Sequence, residues 1–373
     1  MSGEWIDFNK KLSRNAIEKE IPISGTFELT GRCNFNCQMC YVCHSPTDKG
    51  ALAAELSAGQ WIDIGQQARD AGLFFLTLTG GEIFIREDFK EIYEEFTNMG
   101  FNLTIFSNAS MITPEKAKWI GKRPPTKISV TLYGASPETY QKVTGHRDGY
   151  ERSLRGIELL REEGINVEIK TTVIKDNYRD FEQLFNLAQN FGVGLGIVNY
   201  ISPTRADCGN SPLESRLSPQ MITKYEKEVE NRMISIKNEL TEDAERMNQE
   251  IRKKELEKEK SRKSNENASD FAFKCQAGKC GFWVNWRGKI TPCGLMDIPS
   301  ENILEQGFAA AWNNLKVKCA QVPVCKECIQ CSVREFCMTC PARLMSETGS
   351  FEKTAPYLCE SAKYRSILNS RFI

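Results

Sequence analysis

Thr26-Phe27-Glu28-Leu29-Thr30-Gly31-Arg32-Cys33-Asn34-Phe35-Asn36-Cys37-Gln38-Met39-Cys40 begins as a short strand and ends in three cysteines spaced four and three apart. Three thiolates on a loop leaving a strand end hold three corners of a cuboidal [4Fe–4S] cluster and leave its fourth iron without a protein ligand. An iron left open in this way binds a small molecule and passes it an electron, whereas a fully ligated cluster only relays electrons. The same sulfurs joined by Cys43 would instead make a tetrahedral zinc site.

Outward from this stretch, short apolar or β-branched runs recur at 73–78, 103–107, 127–132, 167–173 and 195–200. Such runs mark strands buried in a parallel sheet. The segments between them carry helix signals. Ser57-Ala58-Gly59-Gln60 spells a capping box, and Trp61, Ile64 and Ala68 follow on one face. Phe89, Ile92, Tyr93 and Phe96 form the next apolar stripe. Thr113-Pro114 and Ser136-Pro137 each pair an N-cap residue with proline at the first helical position. Six strand–helix repeats predict an α/β fold, a partial (β/α)6 TIM-like barrel over 24–205, with its site at the C-terminal ends of the strands. Residues 1–23 read as a lead-in, the Lys- and Glu-rich 206–270 as a charged helical linker, and 271–373 as a small second domain.

The 373 residues carry 49 basic and 49 acidic side chains. That balance argues against a protein whose main task is gripping nucleic acid or an anionic membrane. No apolar stretch is long enough to span a bilayer. The first fifteen residues lack the apolar core of a signal peptide, which predicts a cytoplasmic protein. With only two histidines, His44 and His146, histidine-rich metal sites and histidine-dependent triads are excluded. Fifteen cysteines are the outlying number, and ten of them lie from Cys275 onward. An odd count in tight CxxC spacing predicts iron–sulfur or metal chemistry rather than disulfides. The C-terminal domain is then held together by metal more than by a large core.

Cys33-x3-Cys37-x2-Cys40 after a first strand resembles the signature of the radical S-adenosylmethionine (SAM) superfamily. Thr79-Gly80-Gly81-Glu82, closing the second strand, is similar to that family's glycine-glycine-glutamate motif. The resemblance implies that Gly80 and Gly81 admit backbone to the ligand and that Glu82 takes the methionine ammonium of SAM. It places a ribose contact at Ser129, Met39 near the adenine, and Tyr41 beside the cluster. Asn108 either faces this site or forms an Asx-turn. Arg147 either reaches the SAM carboxylate or makes a salt bridge on a helix face.

Cys275-x12-Gly288-x4-Cys293, then Cys328-x2-Cys331-x5-Cys337-x2-Cys340 and Cys359, resembles the SPASM extension of the same superfamily, one residue short before Cys340. That resemblance implies two auxiliary [4Fe–4S] clusters. Cys328, Cys331, Cys337 and Cys359 would hold the distal one. Cys275, Cys280, Cys293 and Cys340 would hold the proximal one, with the Cys280 corner left open in some relatives. Cys43, Cys208, Cys319 and Cys325 remain as plain thiols, although Cys325 extends the CxxC run by one repeat. A zinc ribbon is the competing arrangement.

The activity implied is an oxidoreductase that cleaves SAM reductively to a 5′-deoxyadenosyl radical and modifies a peptide or protein by hydrogen abstraction, for example by thioether or carbon–carbon cross-linking. An electron donor such as flavodoxin or ferredoxin is an expected partner. With a short lead-in before the first strand, leader recognition is expected from elsewhere, including a separate leader-binding protein. In sulfatase-maturing relatives an aspartate directly follows the second proximal cysteine. Here Gly294-Leu295-Met296 intervene before Asp297, which counts against formylglycine formation. A non-catalytic electron-transfer or zinc-binding protein is the alternative of another class. The residues name no catalytic base.

Overall fold

The computed structural model describes residues 3–42, 44–203, 211–239 and 272–370. Six strands, β1 (Ser24–Glu28), β2 (Phe75–Thr79), β3 (Asn102–Ser107), β4 (Lys127–Thr131), β5 (Val167–Thr172) and β6 (Gly194–Val198), pair in chain order, all parallel. Each returns through helical crossovers, as parallel neighbours require. The capping box forms at Ser57 and Gln60, at the head of the helix Ala58–Asp70. Thr113 and Ser136 cap the helices Pro114–Gly121 and Pro137–Thr144, each with proline in its first turn. The predicted α/β architecture is the one observed, with the first two strands displaced by two residues or fewer at most ends.

Strand alternation divides the sheet into two faces. Phe27, Leu76, Ile105, Val130 and Ile169 join Trp61, Phe96, Ile120 and Leu160 in the main core under the helices. The alternate residues, among them Thr26, Thr77, Phe106, Ser129 and Lys170, look the other way, into the barrel.

Three findings lie outside the expectation. The first is the helix Gly3–Glu18 in the supposed lead-in. Its Ala16 is buried, Ser13 Oγ accepts from Gln276 Nε2 at 2.9 Å, and the carbonyl of Glu20 just beyond accepts from Trp312 Nε1 at 3.2 Å. The second is a helix Lys49–Ala54, capped by Asp48. The third is that the C-terminal region does not build a separate sheet. Strand β7 (Gly281–Val284) lies parallel to β1, with Ser24 opposite Gly281. Strands β8 (Lys289–Thr291) and β9 (Glu301–Asn302) continue the sheet antiparallel. Gly288, at φ 80°, makes the hairpin between β7 and β8.

Within the charged stretch, the helix Pro219–Glu239 is observed, and Ile222 and Tyr225 bury a stripe against Val173, Phe181 and Leu217. Residues 206–210 and 240–270 of the expected helical linker lie outside the described residues, as do Cys43 and Cys208. Among the described residues no helix is long and apolar enough to cross a membrane.

Candidate active site

The loop that leaves β1 is fixed by backbone hydrogen bonds on several sides. Cys33 N donates to His44 O at 2.9 Å, Asn36 N to Thr144 O at 2.9 Å, and Gln38 N to Val143 O at 3.0 Å. The end of β2 lies directly on it, with Gly81 N donating to Thr30 O and Glu82 N to Arg32 O, both at 2.9 Å. Only glycine permits that approach. A Cβ on Gly81 would stand 2.3 Å from Arg32 O, and one on Gly80 2.5 Å from Thr30 O. The surface these glycines open is therefore, first of all, to the chain's own thiol loop.

Beneath the loop lies a buried ion network with no sequence signal. Arg32, one residue before Cys33, forks onto Glu55 at 2.8 and 3.0 Å, and Thr30 Oγ1 also donates to Glu55. Arg86 pairs with Asp88 at 2.7 Å and donates to the carbonyls of Leu29 and Leu56 at 2.8 and 2.9 Å. Guanidinium forks of this kind fix direction as well as charge, so the exit of β1 is held rigidly.

The three thiols of the loop are near enough to feel one another's charge. Burial, then the Glu82 carboxylate, pushes the Cys33 thiol up to about 12. Burial and the neighbouring Cys40 and Cys33 push Cys37 well above its usual value. Such thiols surrender their protons on binding metal. N–H donors are already aimed at the sulfurs: Phe35 N at 3.4 Å and Asn108 Nδ2 at 3.9 Å from Cys33 Sγ, and Val42 N at 3.4 Å from Cys40 Sγ. Hydrogen bonds to cluster sulfurs are one of the levers that set a cluster's potential. Tyr133, just beyond β4, packs beside Cys37 and Cys40, and burial pushes its phenol well upward.

Glu82 is fully buried and its carboxylate accepts from Ser107 Oγ at 2.9 and 3.0 Å, Asn108 N at 2.7 Å and Phe84 N at 3.1 Å. Burial raises its pKa, and these bonds oppose the rise. Asn108 does both things the sequence left open. Its Nδ2 reaches Asn34 Oδ1 at 2.9 Å beside Cys33, and its Oδ1 accepts from Ser110 N at 2.9 Å in an Asx-turn. Ser129 Oγ donates to Glu168 Oε2 at 2.9 Å. Glu168 also pairs with Lys127 at 2.9 Å and, more loosely, with Lys170 at 3.7 Å. Lys170 Nζ stands 4.1 Å over the Phe106 ring on the barrel's inner face.

Met39 is buried in the main core. Arg147 is exposed in the turn before the helix Gly149–Glu162 and, among the described residues, forms no ion pair. Arg152, one turn further on, is the arginine that reaches the site, with Nε donating to Ser110 O at 3.1 Å.

Residues 27–188 match the model of the Radical SAM superfamily. The chain thus carries a Radical SAM domain. Enzymes of this superfamily use a [4Fe–4S] cluster and SAM, and the three thiols with one open corner fit that pair. The resemblance read from the sequence, to radical SAM enzymes with a SPASM extension, stands. The AdoMet-dependent heme synthase of Methanosarcina barkeri is 28% identical over 340 residues, covering 89% of this chain and 94% of that one. The sporulation killing factor maturation protein SkfB of Bacillus subtilis is 26% identical over 295 residues, covering 79% of this chain and 65% of that one. Streptococcus suis SuiB, crystallised with its precursor peptide SuiA, shares the fold at a TM-score of 0.69 and 16% identity, covering 94% of this chain and 80% of that one.

The chain's other described thiols lie beyond β6. Cys275 is exposed, Cys280 buried and Cys293 half-buried. Cys275 and Cys293 line a cavity of ≈ 360 Å³ together with Thr26, Trp283 and Tyr41. Tyr41 thus sits between the thiol loop and this second group. Cys319, expected to be a plain thiol, lies against the 275–280 turn, where a Cβ on Gly278 would be 2.6 Å from its sulfur. Cys340 N-caps the helix Pro341–Thr348, and it packs with Cys293 against the main core. Cys328, Cys331, Cys337 and Cys359 feel one another's charge, and Cys325 is among them. Among the described residues no three His, Cys, Asp or Glu side chains converge as a group that could hold a metal ion. A four-iron cube takes one thiolate at each iron, so its ligands need not converge on one point.

Proposed function

We propose that this radical SAM enzyme modifies a peptide or protein by C–H activation, with SAM served by the Cys33, Cys37 and Cys40 loop and two auxiliary clusters in the C-terminal region. When bound, the cluster and SAM supply a 5′-deoxyadenosyl radical that takes hydrogen from an unactivated C–H bond. The residues of the chain bind, orient and exclude water. Cys33, Cys37 and Cys40 hold three irons. Glu82 offers a desolvated carboxylate to the methionine ammonium, and Ser129 with Glu168 offers oxygens to the ribose. Met39 and Tyr133 shield the loop from water. Cys275, Cys280, Cys293 and Cys340 hold the proximal cluster, and Cys328, Cys331, Cys337 and Cys359 the distal one.

The observation that carries this reading is the cavity that Tyr41 shares with Cys275 and Cys293. Tyr41 directly follows Cys40, so this space adjoins the thiol loop as well as two of the auxiliary thiols, and an electron left on an oxidised substrate would have an acceptor at hand. The two-part architecture shared with SuiB and the relationship to SkfB support a peptide as the occupant, and a flavodoxin- or ferredoxin-type protein as the electron donor.

A second reading, tetrapyrrole chemistry of the kind named for the Methanosarcina relative, is favoured by one observation. This chain spans 94% of that protein but 65% of SkfB. The half-buried Lys170 on the inner face suits a carboxylated substrate under either reading.

Anaerobic reconstitution followed by an assay for 5′-deoxyadenosine tests both. With a short peptide encoded beside the gene, we expect 5′-deoxyadenosine and a peptide lighter by two hydrogens in mass spectrometry. SAM consumption that responds only to a carboxylated tetrapyrrole would replace the peptide reading with the second. Absence of 5′-deoxyadenosine under every condition would remove both.

A further inference from the structure

Five thiols, rather than four, gather at the distal auxiliary site. Cys325 is 3% exposed and packs with Leu344, Ala355 and Leu358 in a small core of its own, against which Cys328 and Cys337 also pack. It caps the short helix Lys326–Ile329, which brings Cys328 onto the same side one turn later. Cys328 stands near enough to Cys325 to feel its charge. Leu358 ties in the remaining members, since Cys337 Sγ lies 4.0 Å from Leu358 O and Cys359 is the next residue. Cys331 stands on the outside of the group, exposed to solvent. Both Cys331 and Cys325 are near enough for their charge to be felt at Cys359.

A [4Fe–4S] cube has four irons and takes four thiolates. One sulfur is therefore surplus, and the structure divides the two contenders by exposure. The solvent-side corner is the one where an iron–thiolate bond is most readily lost. We propose that Cys325 is a fifth iron-ligating thiol of the distal site, interchangeable with Cys331 at that corner. The exchange is balanced: the iron–sulfur bond to Cys331 breaks, the bond to Cys325 forms, and the thiol proton of Cys325 passes to the sulfur of Cys331. No electron changes hands. A packing role alone would explain the burial of Cys325, but it would not require the residue to be cysteine or to meet Cys328.

The proposal rests on the auxiliary-cluster reading given above, and the test separates the two. Full-length protein is reconstituted anaerobically with iron and sulfide as wild type, Cys331→Ser, Cys325→Ala, Cys325→Ser and the double variant Cys325→Ala/Cys331→Ser. Iron and sulfide per chain are measured, with EPR of the reduced clusters. We expect each single variant to match wild type and the double variant to lose one cluster of three, about a third of its iron. Loss of that iron in Cys331→Ser alone, or its retention in the double variant, overturns the proposal. Wild-type protein holding iron for one cluster only would overturn the auxiliary-cluster reading and this proposal together. Cys325→Ser guards against a packing defect in Cys325→Ala, because it keeps the side chain's size while removing the sulfur.

Discussion

The thiol loop at 33–40 and the thiol group at 325–359 both gather cysteines, yet opposite kinds of support surround them. The first is pinned by backbone bonds to β2 and to the end of the helix Pro137–Thr144, with the Arg32, Glu55 and Arg86 network beneath it. The second rests on the four-residue helix Lys326–Ile329, one turn of 3₁₀ helix at Arg334–Phe336, and a core whose buried members are Cys325, Leu344, Ala355 and Leu358. Under the proposed function, metal would be a guest in a site the fold has already built in the first case, and in the second it would supply cohesion that so small a core does not.

Three experiments press on that contrast. Cys37→Ala removes one corner of a site whose frame is independent of metal. We expect 5′-deoxyadenosine formation to fall to background while the thermal midpoint moves by only about 2–4 °C; collapse of the fold would mean the loop depends on its cluster after all. Stripping iron with a chelator should open 325–359 to protease while strands β1 to β5 stay protected. Equal protection of both regions, read by mass spectrometry of the fragments, would erase the contrast. Gly81→Ala drives a methyl into Arg32 O, and overpacking of this kind costs about 1–3 kcal/mol. Denaturant midpoints should show that loss together with reduced iron at the first cluster, and an unchanged midpoint would mean the end of β2 can yield.

Features encoded over short spans were legible in the sequence. The cysteine spacing, the Gly80-Gly81-Glu82 turn, the capping boxes and the alternation of strands each depend on neighbours a few residues away. Glu82 could be placed, but its burial against Ser107 and Asn108 could not, because that depends on how β2 and β3 align. Glu55 carried no signal at all, since its partners Arg32 and Arg86 are joined to it only by the folded sheet. Arg152 carried no signal either, since the carbonyl of Ser110 that it reaches is 42 residues away in sequence. Cys325 looked like a spare repeat until Leu358 and Ala355 brought it to Cys359.

The pairing of Ser24 with Gly281 has a consequence for how the protein is made. On the ribosome, β1 emerges early and can zip to β2, but its other margin waits for most of the polypeptide to be translated. Until then a bare row of amide and carbonyl groups faces solvent, the kind of edge on which nascent chains stick to one another. Nascent molecules cut short before β7 should be the ones that chaperones hold or that aggregate, whatever the supply of iron.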